Sequence, residues 1–178
     1  PASAWTLCVG AGISRNIAPD WGDLAYEVVS ASIDPNLARV EFDALVKESG
    51  WSLDSWIQAS ANKHIADGKS AASFKDLIES KLYSKIRQAA QGLGIEGHLT
   101  KVLNLPKNEP RERVIEVCEL IEHSFPSSSL VQLGQTLIQA AKSNRGPAAV
   151  LTFNADTFLE TYIDLALRRD HYLGHGPH

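Results

Sequence analysis

The sequence contains no methionine, only two cysteines and no excess of either charge. Its 17 Lys and Arg residues stand against 21 Asp and Glu residues, and the basic ones do not cluster. A nucleic-acid surface needs clustered cations, so we expect no direct binding of nucleic acid. No run approaches the roughly 20 apolar residues of a membrane span, and no secretory signal is visible. We therefore expect no membrane contact and a cytoplasmic location.

The two cysteines exclude a zinc ribbon and a disulfide framework. Cys8 and Cys118 lie far apart, and neither belongs to a Cys-x-x-Cys pair. Cys8 lies in an apolar run and is predicted to be a buried strand residue. Such cysteine usage fits a reducing compartment. The absence of methionine and the start at Pro1, directly before this run, lead us to expect a fragment of a longer chain.

Two short apolar runs predict the strands of a parallel sheet. Ala4–Val9 is bounded by Gly10, and Ala148–Phe153 follows a Gly-Pro breaker. His171–Gly174 is a candidate for the end of a third strand. Apolar residues at three- and four-residue spacing predict helices over Trp21–Ile33, Asn36–Ser49, Leu53–Asp67, Ser73–Gln91, Arg111–Ser124, Leu130–Ser143 and Thr157–Arg169.

Serines precede two of these segments and are expected to cap them. Ser52 stands before Leu53, and Ser129 before Leu130. Strands of one parallel sheet rarely have so much helix between them unless a helical module is inserted. We therefore expect an α/β fold with a Rossmann-like parallel sheet core and a large helical insertion. The core is assigned to residues 1–24 and 145–178, incomplete at its C-terminal end, and the insertion to residues 25–144.

The first candidate site is the loop that follows the first predicted strand. Its residues are Gly10, Ala11, Gly12, Ile13 and Ser14. Glycines let the chain turn tightly and let its N–H groups approach a pyrophosphate. Arg15 occupies the third glycine position of the dehydrogenase fingerprint, which disfavours hydride transfer. A purely structural turn stays open as the alternative.

The second candidate site follows the second predicted strand. Thr152, Asn154 and Asp156 stand where this strand ends and a helix begins. In open α/β sheets, ligands bind outside the carboxyl ends of strands. An asparagine offers one acceptor and two donors, so it can hold a ribose hydroxyl, an amide or a water. Asp156 can instead be a simple N-cap.

Taken together, these segments resemble the sirtuin family. More closely, they are similar to the sirtuin-like NAD-cleaving domains of bacterial antiphage defence. The stretches that carry the resemblance are Gly10–Ser14, Pro19–Trp21, Thr152–Asp156 and the His175-Gly176 dipeptide. Protein-deacylating sirtuins hold zinc with four cysteines, which this sequence cannot supply. The resemblance therefore favours the defence-type relatives over a deacylase, and it implies no metal.

The resemblance implies an NAD glycohydrolase (an NAD+ nucleosidase) that depletes NAD as an antiviral effector. NAD is its substrate and is split into nicotinamide and ADP-ribose. Asn154 is the residue that positions the attacking water or the ribose hydroxyls. By the same resemblance, His175 is assigned as the general base on a ribose hydroxyl, a role for which histidine is a suitable residue type. A surface histidine is the alternative interpretation of His175.

The remaining candidates are assigned to NAD binding by the same resemblance. The N–H groups of Gly10–Ser14 hold the pyrophosphate, and Asp20 and Trp21 shape the nicotinamide end. Thr152 and Asp156 line the site beside Asn154. A homo-oligomer, or a fused or associated defence-sensor module, is the implied partner. The rival function is a non-catalytic sirtuin-like module that senses NAD or an ADP-ribose derivative.

Overall fold

The computed structural model describes residues 5–153 and 157–174. It is mostly helical, with nine α-helices and two short strands among those residues. The chain divides into two compact units, which are residues 19–84 and residues 1–18 together with 85–178. These limits differ from the expected domain limits at residues 24 and 144, and each unit is described below by itself.

The unit of residues 19–84 is a small helical module. Its helices are α1 (Trp21–Ser32), α2 (Arg39–Ser49), α3 (Leu53–Ala66) and α4 (Ala71–Leu82). The apolar stripe of α1 packs against α3 and α4, where Val28 meets Phe74. Phe42 is the buried anchor of α2, and its ring lies 5.9 Å from that of Trp56. The predicted N-cap of α3 is confirmed, since the side chain of Ser52 accepts the N–H of Ser55.

The larger unit carries both strands and the other helices. Its elements are β1 (Thr6–Val9), α5 (Ser84–Ala90), α6 (Glu96–Asn104), α7 (Arg111–Ser124), α8 (Ser129–Lys142), β2 (Ala149–Thr152) and α9 (Phe158–Tyr172). Helix α9 packs against both α7 and α8. The expected cap of α8 is displaced by one residue, because Ser128 and not Ser129 accepts the N–H of Val131.

Partly buried polar side chains and the buried Tyr162 join α7 to α9. The hydroxyl of Tyr162 donates to Glu122 at 2.8 Å, and Arg169 forms an ion pair with the same carboxylate. A second ion pair, Lys142 to Asp170 at 2.8 Å, links α8 to α9. Burial and the bond to Glu122 raise the pKa of Tyr162 far above its usual range. This hydroxyl therefore stays a hydrogen-bond donor at any physiological pH.

The predicted Rossmann-like sheet core is wrong. The described residues contain a single sheet of two parallel strands, and 69% of the structure is helix. A parallel sheet core is buried on both faces, whereas here Leu151 is 50% exposed and Cys8 is exposed too. The expected third strand fails because the helix continues through His171 and ends where Gly174 takes a positive φ of 75°.

The contact between α8 and α9 requires a glycine. A Cβ at Gly134 would lie 2.5 Å from Cδ1 of Tyr162, whose ring is fully buried and tied to Glu122. We expect Gly134→Ala to lower the free energy of unfolding by about 1–3 kcal/mol, because the ring cannot move aside. Urea denaturation measures the difference. Gly97→Ala, in open space on α6, is the matched control and should be neutral or slightly stabilising. Equal stability of the two variants would contradict the packing argument.

The two cysteines are expected to differ sharply in reactivity. Burial raises the pKa of Cys118 from 9.0 to about 12, whereas Cys8 is exposed. Iodoacetamide at pH 8.5 should therefore modify Cys8 alone in the folded protein and both residues in urea, as mass spectrometry can show. Between pH 9.0 and about 12, the Cys118 thiol stays protonated in the folded protein but ionises in the unfolded chain. The free energy of unfolding is therefore expected to fall as the pH rises through this range. Equal labelling of both thiols in the folded state would refute this.

Candidate functional site at the carboxyl ends of the paired strands

Strand pairing brings together the points from which the two candidate loops start. Strands β1 and β2 are parallel, and their register sets Thr6 opposite Ala149 and Val9 opposite Thr152. The N–H of Phe153 donates to the carbonyl oxygen of Val9 at 2.9 Å. Both loops therefore leave the same edge of the sheet, although they come from opposite ends of the chain.

The loop after β1 folds into one turn of 3-10 helix, Ala11–Ser14. The side chains of Ile13 and Ser14 point inwards, with 8% and 3% exposure, while Gly10 and Gly12 lie on the surface. This turn packs against α8, so the buried pair fixes the loop to the helices of the same unit.

Among the described residues, neither backbone geometry nor packing requires glycine at positions 10 and 12. Gly10 has φ −105° and ψ 174°, which any residue adopts, and neither glycine has a positive φ. A Cβ built at either position meets no described atom within 4 Å. The outer side of the main chain is therefore open at both positions, and a structural turn and a ligand-binding loop both fit this geometry.

A lysine that sequence reasoning missed holds the far end of this loop. The ammonium of Lys85, on α5, donates to the carbonyl oxygens of Arg15 at 3.1 Å and Ala18 at 3.5 Å. Ile17 and Ala18 beside it are buried, each with 1% exposure. Sequence reasoning treated Arg15 only as a departure from a glycine pattern. No local signal could have revealed Lys85, because the contact exists only in the folded chain.

Asp20 and Trp21 belong to the other unit. Asp20 is the N-cap of α1, and its carboxylate accepts the N–H of Asp23 at 2.8 Å. Trp21 is the first residue of that helix and is 37% exposed. The neighbouring Arg39 forms ion pairs with Asp23 and Asp43. The N-cap hydrogen bond gives Asp20 a structural role. This role is separate from its predicted place at the nicotinamide end.

Only part of the second candidate site falls within the described residues. Thr152 is the half-buried last residue of β2. Asn154, Asp156 and His175 lie outside the described residues, so the structure does not test their predicted roles. What the geometry brings together is therefore Gly10–Ser14 and Thr152.

Two surface clefts of the larger unit lie apart from these loops. One, of about 710 Å³, follows the exposed glutamine-rich face of α8 and ends at Arg145. The other, of about 340 Å³, lies between Leu93 and α7 and includes Glu119 and His123. Neither cleft is lined by a residue that the sequence analysis assigned to the site.

The comparisons with known proteins add no further constraint. No family model, curated protein or solved structure matches this chain. Within residues 5–153 and 157–174, no group of three or more His, Cys, Asp or Glu side chains could hold a metal ion. In the same ranges no helix has the length and apolar character needed to cross a membrane. A function for this chain therefore has to be proposed from its own sequence and structure.

The cap at Asp20 can be tested apart from any activity. Asp20→Ala should lower the free energy of unfolding by about 1 kcal/mol, because the first turn of α1 loses its acceptor. Asp20→Asn keeps an acceptor oxygen and should retain nearly all of the stability. Ser52→Ala, which removes the equivalent cap of α3, serves as the calibration. Urea unfolding would speak against capping if Asp20→Asn were as damaging as Asp20→Ala.

Proposed function

We propose that this chain binds NAD at the carboxyl ends of β1 and β2 and hydrolyses its nicotinamide–ribose bond. The observation that supports this proposal is the parallel pairing of the strands, which sets the Gly10–Ser14 loop beside Thr152. Ligands of α/β proteins bind at such strand ends, and the two loops are the ones that resemble the sirtuin-like NAD-cleaving domains. The proposed site requires only the carboxyl ends of β1 and β2 and not a complete sheet.

The reaction consumes one water and leaves no group on the protein. The bond between the anomeric carbon and the nicotinamide nitrogen breaks, and its electron pair leaves with neutral nicotinamide. The oxygen of water bonds to the anomeric carbon, and a proton is released as ADP-ribose forms. Positive charge therefore develops on the sugar, and catalysis requires that this centre be stabilised and the water be held in place.

The proposed roles divide between holding the ligand and attacking it. Main-chain N–H groups of the Gly10–Ser14 loop hold the pyrophosphate. Asn154 positions the water, oriented by Asp156, and His175 acts as base on a ribose hydroxyl. As an NAD-depleting effector of defence, such an enzyme works in the cytoplasm, as a homo-oligomer or with an associated sensor module.

Nicotinamide release measures the proposed reaction directly. We expect the protein to release nicotinamide from NAD, as chromatography can quantify, and Asn154→Ala and His175→Ala each to reduce the rate by at least about a hundredfold. The assay is run alone and with candidate triggers, since an effector can need activation. Binding of NAD without nicotinamide under all of these conditions would replace hydrolysis with the sensor function. Absence of both binding and release would end the NAD hypothesis.

Two glycine substitutions, one in the loop and one as its control, test whether the Gly10–Ser14 loop binds the ligand. Gly12→Ala and Gly97→Ala each add one methyl group in open space within the same unit. Both should leave the urea midpoint unchanged or slightly higher, but Gly12→Ala should weaken NAD binding by about tenfold or more, because the methyl group occupies space meant for the ligand. Unchanged binding by Gly12→Ala would remove this loop from the site.

A further inference from the structure

We propose that Arg15 binds the phosphate groups of the ligand and that Lys85 is the positioning residue that holds Arg15 in place. The inference rests on the proposed binding of NAD, and it adds the charged residue that the glycine loop alone does not provide. It names the ligand class more closely as nucleotides that carry a pyrophosphate.

Arg15 is one of two arginines whose side chains have no polar partner among the described residues. Six of the eight arginines form a hydrogen bond or ion pair with a described residue, and these are Arg39, Arg87, Arg111, Arg113, Arg168 and Arg169. Within the described ranges, the side chains of Arg15 and Arg145 have no such partner. Of these two, Arg15 alone directly follows a predicted ligand-binding loop.

The loop around Arg15 carries no compensating negative charge. Residues 9–18 contain no Asp or Glu, so Arg15 is the only formally charged residue of this stretch. The main chain at Gly10 and Gly12 is open on the outside. A guanidinium carries a planar set of donors that matches the oxygens of a phosphate group. The loop therefore offers an anion both space and a cation of the right geometry.

Lys85 fixes the backbone from which Arg15 projects. Its ammonium donates to the carbonyl oxygen of Arg15 itself and to that of Ala18. On either side, Ile13 and Ile17 are buried and anchor the chain to the same unit. These contacts restrain the backbone at Arg15, so less conformational freedom is lost when its side chain meets a ligand. Lys85 thus acts through Arg15 rather than on the ligand.

Binding of two related ligands separates a phosphate contact from general damage. ADP-ribose carries the pyrophosphate, whereas adenosine has the same base and one ribose without it. By calorimetry, Arg15→Gln should weaken ADP-ribose binding by about tenfold or more and leave adenosine unchanged, because a charged hydrogen bond to phosphate is lost. Arg15→Lys should recover part of the affinity. Arg145→Gln, which removes an equally unpaired charge elsewhere on the unit, should have no effect.

A double-mutant cycle tests the role of Lys85. Lys85→Gln should weaken ADP-ribose binding in the wild-type background but cost nothing further in the Arg15→Gln background, since its effect passes through Arg15. Additive losses would make Lys85 an independent contributor and overturn its positioning role. A loss of adenosine binding in Arg15→Gln, or an equal loss of ADP-ribose binding in Arg145→Gln, would overturn the phosphate contact.

The inference and the proposed function fail in different ways. ADP-ribose binding that depends on Arg15, without nicotinamide release under any condition, would sustain the phosphate contact and reject hydrolysis. Nicotinamide release together with ADP-ribose binding that ignores Arg15 would sustain hydrolysis and reject the contact. No binding of ADP-ribose at millimolar concentration would reject the inference outright.

Discussion

The pairing of β1 with β2 is the contact on which the candidate site depends, and the strands themselves contribute little to its stability. Each is four residues long, and most of their side chains remain exposed. A two-stranded sheet is marginal on its own. The pairing also closes a long loop, although each doubling of loop length adds only about 0.6 kcal/mol. The stabilisation must therefore come from the helices to which the strands are attached.

The attachments are visible at both strands. At the end of α8, Asn144 takes a left-handed φ of 53°, and Gly146 comes so near Ala141 that a Cβ would lie 3.3 Å from its backbone. This compact turn sets the direction of β2. Helix α8 is held in turn by α9, where Tyr162 fills the space that Gly134 leaves. On the side of β1, the turn Ala11–Ser14 packs on α8 as well. Helix α8 thus contacts the turn after β1 and also leads into β2.

The sequence allowed both parallel strands and most helices to be located, but not the architecture that they form. Helical periodicity repeats over many residues, so Arg111–Ser124 was predicted with both ends correct and α1 with the right start, although α6 was missed and the predicted helix Ser73–Gln91 is two helices. A short apolar run locates a strand, but its burial depends on layers that no local pattern specifies. Leu151 and Cys8 have strand-like sequence but lack the second layer that would bury them.

The candidate site, too, could be predicted from the sequence only in part. The glycine loop was recognisable because its chemistry lies in consecutive residues, whereas the contact of Lys85 with Arg15 spans the fold and left no trace in the sequence. The mostly helical fold does not weaken the argument from the loops, since function depends on the site and not on the architecture that carries it. Two parallel strands suffice to set two loops at one edge. Open glycines and a guanidinium without a polar partner in the described part of the chain are features that favour an anion over a neutral ligand.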